Sequence, residues 1–197
     1  MADNDGIRNR IIKKSYLLIL NKGYKGTTID DILNEAGVSK GSFYYYFASK
    51  RDIAKAIIDE IIKEEFLTVW RNVHKGEDPV KNIIKKINMS YDKKGNHYSS
   101  TGCPLGNLIV EFSSVDVEFS KKTDSILKMW SSYIRKALDK SLRLGILNAN
   151  FNPEKVADFL VASMEGCILA AKSSHDKKKL RNCFDSMINY LKSISDN

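Results

Sequence analysis

Residues 23–53 read GYKGTTIDDILNEAGVSKGSFYYYFASKRDI, from Gly23 to Ile53. The stretch is punctuated as two short helices. Gly23 stands where a preceding helix, from about Ile7 to Asn21, must stop. Thr28 offers a hydroxyl N-cap, and Asp30 and Asp31 set negative charge on the positive end of a helix running to about Ala36. Gly37-Val38 breaks that helix, and Ser39 caps a second one ending near Phe47. Helix, tight turn, helix is the layout whose second helix can enter the major groove of DNA. At about 100° per residue, Phe43 and Phe47 share one face and anchor the helix inward. Gly41 and Tyr45 point the opposite way, flanked by Ser42 and Tyr44. Three successive tyrosines, Tyr44 to Tyr46, cannot all face a core. Gly41 leaves space for close backbone approach, and Ser42 can donate to or accept from a base edge. Lys40 at the helix start and Lys50, one residue past the Ser49 cap, suit phosphates.

Working outward, helical spacing of apolar residues persists almost throughout, with no strong strand signal. Ser49, with Asp52 three residues on, opens a long helix to about His74. Asp78-Pro79 and Asn152-Pro153 are cap-plus-proline starts, for helices to about Lys93 and Ser173. Lys94 to Gly102 reads as a polar loop. Pro104 opens a helix of roughly ten residues, another spans about Val115 to Leu144, and the last spans about Lys177 to Ile194. The expected fold is all-α with about nine helices.

The 197 residues carry a net charge of +8, with only 11 Gly and 3 Pro, which excludes low-complexity classes. Half of the excess falls in residues 1–55, where ten Lys or Arg face six Asp or Glu. No signal peptide or apolar run of membrane-spanning length is visible, so a cytoplasmic protein is expected. The 3 cysteines lack Cys-x-x-Cys spacing and read as reduced thiols, Cys167 and Cys183 within apolar helical patterns. No Ser-His-Asp, HExxH or P-loop pattern stands out, and His74, His97 and His175 show no ligand spacing. No metal, cofactor or catalytic activity is expected.

The 23–53 stretch resembles the DNA-binding domain of the TetR family of transcriptional regulators. The resemblance rests on Gly23-Tyr24, Thr27-Thr28, Ile32, Ala36 to Gly41, Phe43-Tyr44, Phe47 and Lys50. It implies a three-helix DNA-binding domain over residues 1–50 and a helical effector-binding and dimerisation domain over 51–197. It also implies DNA contacts from Thr28, Ser39, Lys40, Gly41, Ser42, Tyr44, Tyr45 and Lys50. Lys40, Gly41, Ser42 and Tyr44 would lie nearest the bases, and Thr28, Tyr45 and Lys50 would hold phosphates. Tyr46 departs from the pattern, which often has His there.

In the larger domain, TGCPLGNL at 101–108, followed by Glu111, is similar to a segment in a subgroup of that family. Cys103 precedes a proline-opened helix, whose positive end should lower a thiol pKa and allow reaction with an electrophile or oxidant. Phe66, Trp70, Tyr91, Phe112, Met129, Trp130 and Tyr133, with Cys103, are candidate walls of an effector pocket or plain core. The last two helices are very apolar. The resemblance implies that Phe159, Met164, Gly166, Phe184, Ile188 and Leu191 build a two-fold, four-helix dimer interface. The expected protein is a homodimeric regulator on pseudo-palindromic double-stranded operator DNA, most simply a repressor released by a small-molecule, electrophile or oxidant effector. Two alternatives stay open: a constitutive DNA-binding protein, and a thiol-dependent enzyme using Cys103, for which no base is evident.

Overall fold

The computed structural model describes residues 2–147 and 151–195, with side chains from residue 6 onward. The elements are α1 (Ala2–Lys22), α2 (Ile29–Ala36), α3 (Lys40–Tyr46), α4 (Lys50–Ala56), a π-helical stretch (Ile57–Ile62), α5 (Lys63–Trp70), α6 (Pro79–Ser100), α7 (Pro104–Phe112), α8 (Val117–Arg143), α9 (Pro153–Ser174) and α10 (Lys177–Ser193). α4, the π stretch and α5 run on without a break, so the described residues form nine separate helices. The only β pairing among them is one isolated bridge, Leu147 to Ser195. The chain divides into two compact units, Met1–Glu64 with Asn107–Thr123, and Glu65–Gly106 with Asp124–Asn197. The first therefore reaches past residue 50 and takes in a later segment. Each boundary falls inside a helix: α5, α7 and α8.

The local signals in the sequence account for the element starts. Thr28 Oγ1 accepts the Asp31 amide at 3.0 Å while Asp31 Oδ2 accepts the Thr28 amide at 2.8 Å, a reciprocal capping box. Ser39 Oγ accepts the Ser42 amide at 3.1 Å, and Ser49 Oγ that of Asp52 at 3.2 Å. Asp78 and Asn152 cap α6 and α9, each with proline at the first helical position. Gly37 takes a left-handed conformation, φ 61°, and its amide and that of Val38 close α2 on the carbonyls of Asn34 and Leu33.

In the first unit, Ile11, Ile19, Ile32, Phe43, Phe47, Ile53 and Ile57 form the buried core. In the second, α6, α9 and α10 pack around Ile83, Ile87, Leu160, Ile168, Leu180, Phe184 and Leu191. Three expectations are corrected. Residues 94–100 are helical: the serines of this polar run bond back to helix carbonyls, Ser99 Oγ to Asn96 O at 3.1 Å, and Gly95 leaves room for the stem of Lys177. The helix expected to reach His74 ends at Trp70. There Trp70 and Val73 turn into the core, and Asn82 Nδ2 takes up the carbonyls of Val73 and Lys75 at 3.2 and 2.6 Å. Cys167 and Cys183 are joined as a disulfide across α9 and α10, Cα atoms 5.9 Å apart, where free thiols were expected. Cys103 is free and buried.

Candidate functional site

The first unit presents α3 outward as the residue pattern anticipates. Phe43 and Phe47 are 0% and 5% exposed, while Tyr44 and Tyr45 are 45% and 72% exposed. Ser39, Lys40 and Gly41 are exposed and Ser42 is half-buried. Gly41 has only the Ser39 hydroxyl near the place a Cβ would occupy, at 3.9 Å, so its smallness serves an external surface and not packing. Tyr44 leans edge-on against Phe43 and Tyr45 against Tyr46, with ring centroids 5.1 and 4.8 Å apart. Tyr46, the departure from the resembled pattern, is half-buried.

Thr28 and Lys50 have partners within the unit. Thr28 Oγ1 donates to Asp31 Oδ2 at 2.7 Å. That carboxylate also takes the Thr28 amide and Lys22 Nζ, which hold its pKa far below the usual carboxylate range. Lys50 Nζ donates to the carbonyls of Tyr24 and Thr27 at 2.7 and 2.6 Å and lies 4.2 Å from the Tyr24 ring centroid. Partial burial lowers its pKa. An ammonium has three N–H donors, and two are spent on this turn.

The same turn is held by Glu111 from α7. Its Oε1 and Oε2 accept the amides of Tyr24 and Lys25, both at 2.9 Å. Gly23 is doubly required: its φ is +77°, and a Cβ there would meet Glu111 Oε1 at 3.1 Å. The loop joining α1 to α2 is thus clamped by a cation on its carbonyls and a carboxylate on its amides. Phe112 packs here too, with ring centroids 4.5 Å from Tyr24 and 4.1 Å from Phe119. Arg51, from α4, pairs with Asp116 through Nε at 2.9 Å and with Glu118 through Nη2 at 2.8 Å. The sequence reading missed these roles of Glu111 and Arg51; the only available signal was Glu111 following the GCPLGNL segment.

The second unit encloses a cavity of about 300 Å³, at the small end of ligand sites. Of the expected walls, Phe66, Trp70, Cys103 and Trp130 line it, together with Met89, Tyr98, Met164, Glu165 and Ile168. Phe66 and Trp70 lie 4.9 and 5.5 Å from the Trp130 ring, centroid to centroid. Lys86, Lys93 and Lys94 also border it, and Lys94 is paired with Glu65 at 2.7 Å. Four expected wall residues lie elsewhere. Phe112 belongs to the first unit's Tyr24 cluster. Tyr91 is covered by Lys177 and Arg181, whose charged groups sit 4.9 and 5.0 Å from its ring. Tyr133 is half-buried under Lys136, and Met129 sits one residue off the inward face that carries Trp130.

The expectation of a lowered Cys103 pKa is also corrected. The amides of Leu105 and Gly106 at the start of α7 pull the pKa down. Complete burial and the neighbouring Glu165 outweigh them, and the thiol is pushed well above its ordinary value. Burial likewise raises Glu165, whose carboxyl accepts a hydrogen bond from the Cys103 thiol. Glu165 Oε1 and Trp130 Nε1 are buried without any hydrogen-bond partner in the protein. Gly106 makes the carboxyl's position possible: a Cβ there would come within 2.5 Å of Glu165 Oε2.

The expected interface residues divide. Met164, Phe184, Ile188 and Leu191 are at most 5% exposed in the single chain, because they fill the packing between α9 and its neighbours. They are corrected to core. Phe159 is 51% exposed and stacks edge-on with Tyr190, and Gly166 faces open space. With Ala162, Leu169 and Ser173 they form an outward stripe at helical spacing along α9. No described helix is long and apolar enough to cross a membrane.

Comparison with known proteins agrees over nearly the whole chain. Residues 11–57 match the bacterial regulatory proteins of the tetR family, and residues 81–187 match the tetracyclin repressor-like C-terminal domain. An HTH-type transcriptional regulator encoded in the lacX 3' region of Lactococcus lactis subsp. lactis is 31% identical over 184 residues, covering 90% of this chain and 89% of that protein. The HTH-type transcriptional repressor DhaR of Mycobacterium sp. (strain GP1) is 25% identical, covering 88% and 86%. The crystal structure of a TetR transcriptional regulator from Chloroflexus aurantiacus J-10-FL superposes with a TM-score of 0.84 at 23% identity, covering 99% of this chain and 98% of that one.

Proposed function

Because the chain belongs to the tetR family of bacterial regulatory proteins, we propose that it is a homodimeric, effector-responsive repressor reading its operator through α3. The observation that carries this is the outward face of α3, where Ser39, Lys40, Gly41, Ser42, Tyr44 and Tyr45 stand out from a helix pinned by Phe43 and Phe47. Lys40, Gly41, Ser42 and Tyr44 take the base edges. Tyr45, Thr28 and the remaining N–H of Lys50 take phosphates. Thr28 turns its hydroxyl from Asp31 to donate a hydrogen bond to a phosphate. The first unit carries DNA binding and the second carries effector binding and dimerisation.

Two copies associate through the outward stripe of α9 around Phe159, Gly166 and Leu169, which would otherwise leave apolar surface in water. Their recognition helices meet half-sites about 34–36 Å apart on a pseudo-palindrome. The cavity of the second unit takes a small effector, and α5, α7 and α8, which contribute residues to both units, carry its influence to DNA. Coupling of about 1–3 kcal/mol suffices for induction. The protein works without turnover, in the cytoplasm.

A second reading, induction by an electrophile, rests on Cys103 being a free thiol among the residues that line the cavity. Selection of bound DNA from a random library tests the main reading, and a two-fold symmetric consensus is expected. Sequence-independent binding would overturn it. Cys103→Ser separates the two induction modes: release of DNA by electrophiles that persists in the variant removes the thiol from the mechanism.

A further inference from the structure

The cavity of the second unit has a polarity of its own. Its deep walls are apolar: Trp70, Trp130, Met164 and Ile168 line it and are at most 3% exposed. Its positive charge comes from α6, where Lys86, Lys93 and Lys94 border the same space. Two carboxyls oppose them, Glu65 from α5 and Glu165 from α9. Lys94 and Glu65 pair at 2.7 Å and cancel. Lys86 and Lys93 are paired with no carboxylate among the described residues. Even a fully ionised Glu165 leaves one positive charge in surplus, and its burial, which disfavours the charged form, only widens that surplus.

The two unpaired lysines frame a hydroxyl. Lys86, Ser90 and Lys93 stand at i, i+4 and i+7 on one face of α6, and Ser90 lines the cavity with them. Farther along α6, Ser99 and Ser100 return their hydroxyls to helix carbonyls. Ser90 makes no hydrogen bond among the described residues. Two cations and a hydroxyl donor therefore border a space whose depth is aromatic and aliphatic. An anion over Ser90 would lie one helical turn from each ammonium and could accept charge-assisted hydrogen bonds from both. A neutral apolar occupant would leave both ammoniums uncompensated, a cation would add to them, and a small inorganic anion would leave the apolar depth unfilled.

We propose that this cavity binds an amphipathic organic anion, its carboxylate-type head over Ser90 between Lys86 and Lys93 and its apolar body against Trp70 and Trp130. The proposal rests on the reading of the cavity as the effector site.

Four probes test it on the full-length protein: octanoate, octanamide, octylammonium and acetate. Affinity is measured by calorimetry. Tryptophan emission locates the site, because both tryptophans of the chain line this cavity. Octanoate is expected to bind tightest and to shift the emission, with octanamide about tenfold weaker because it forgoes two part-exposed ion pairs. Octanoate affinity should fall as salt rises, and octanamide affinity should not. Lys86→Met combined with Lys93→Met keeps the apolar stems. It should bring octanoate to within about threefold of octanamide while octanamide itself binds as to wild type, which also shows that the cavity has folded. Lys86→Glu should reverse the order of octanoate and octylammonium. Octanamide or octylammonium binding wild type as tightly as octanoate would overturn the proposal. So would acetate matching octanoate, octanoate binding without a change in emission, or no binding of any probe. Operator affinity is measured in parallel. Octanoate bound in the cavity with unchanged DNA affinity would sink the effector reading alone. Intact DNA binding with no bound octanoate would sink this proposal alone.

Discussion

Replacing Lys50 with methionine separates two jobs that one ammonium performs. The methionine stem keeps the length and the contact with the Tyr24 ring but removes the charge. In the structure that charge satisfies Tyr24 O at 2.7 Å and Thr27 O at 2.6 Å, in the loop whose amides are held by Glu111. Hydrogen bonds to charged groups contribute roughly 1.5–3 kcal/mol. The two here share one donor group, whose own desolvation is relieved on substitution, so the expected loss is about 2 kcal/mol in total. For a chain of this size that corresponds to a fall in Tm of roughly 4–8 °C. The second job is a phosphate contact by the third N–H. Its loss lowers the slope of log affinity against log salt by about 0.9 per protomer. Urea unfolding reads the first, and anisotropy titrations of labelled operator at several salt concentrations read the second. Unfolding free energy within about 0.5 kcal/mol of wild type would refute the clamp. A salt slope equal to wild type, with affinity reduced equally at every salt, would refute the phosphate contact and leave Lys50 as a positioning residue.

Other perturbations follow from the same geometry. Tyr44→Ala should cost about 1–3 kcal/mol of operator affinity while leaving the salt slope and Tm unchanged, since the side chain is 45% exposed; affinity retained in competition with random DNA would remove Tyr44 from recognition. Gly106→Ala places a Cβ within 2.5 Å of Glu165 Oε2 and should destabilise by about 1–3 kcal/mol, with wild-type stability in urea as the contrary result. Glu165→Gln should change the pH profile. Burial raises the folded-state pKa of Glu165 above its unfolded value, so the wild type is penalised increasingly as pH rises through that window, and the variant should gain most relative to it at alkaline pH and least near pH 4. The carboxyl is bonded by Cys103, just before α7, and the other ionisable groups bordering the same cavity are Glu65 from α5 and Lys86, Lys93 and Lys94 from α6; a stability difference flat between acid and alkaline pH would contradict the assignment. Thiol titration of the unreduced, denatured protein should find one reactive cysteine, Cys103, rising to three after reduction; three before reduction would mean that the α9–α10 bridge does not form in solution.

What was legible in the sequence was what neighbouring residues decide among themselves. The caps at Thr28, Ser39, Ser49, Asp78 and Asn152 each satisfy an amide two or three residues away, so residue type and spacing suffice to find them. The inward and outward faces of α3 follow from seven residues and one period. The clamp on the α1–α2 loop was not legible, because its members come from 26 and 87 residues along the chain, and nothing local tells Lys50 that two carbonyls await it. The polar run after Lys93 shows the converse failure: composition suggested a loop, yet a helix can be polar on every face when its serines return their hydrogen bonds to its own carbonyls.

Cys103 sharpens the point, because there the local reasoning had the right sign and the wrong magnitude. The amides of Leu105 and Gly106 do act to lower its pKa, as a helix start should. That effect is worth a fraction of a kcal/mol to about 2 kcal/mol even in a favourable, partly buried setting. Full desolvation shifts buried groups by up to 3–5 pKa units, or about 4–7 kcal/mol. Burial is a tertiary quantity, set here by the packing of α9 across the start of α7, where Gly106 lets Glu165 approach. A sequence motif can therefore announce that Cys103 and Gly106 belong together. Which protonation state the thiol adopts is decided by burial first and then by Glu165, 62 residues further on.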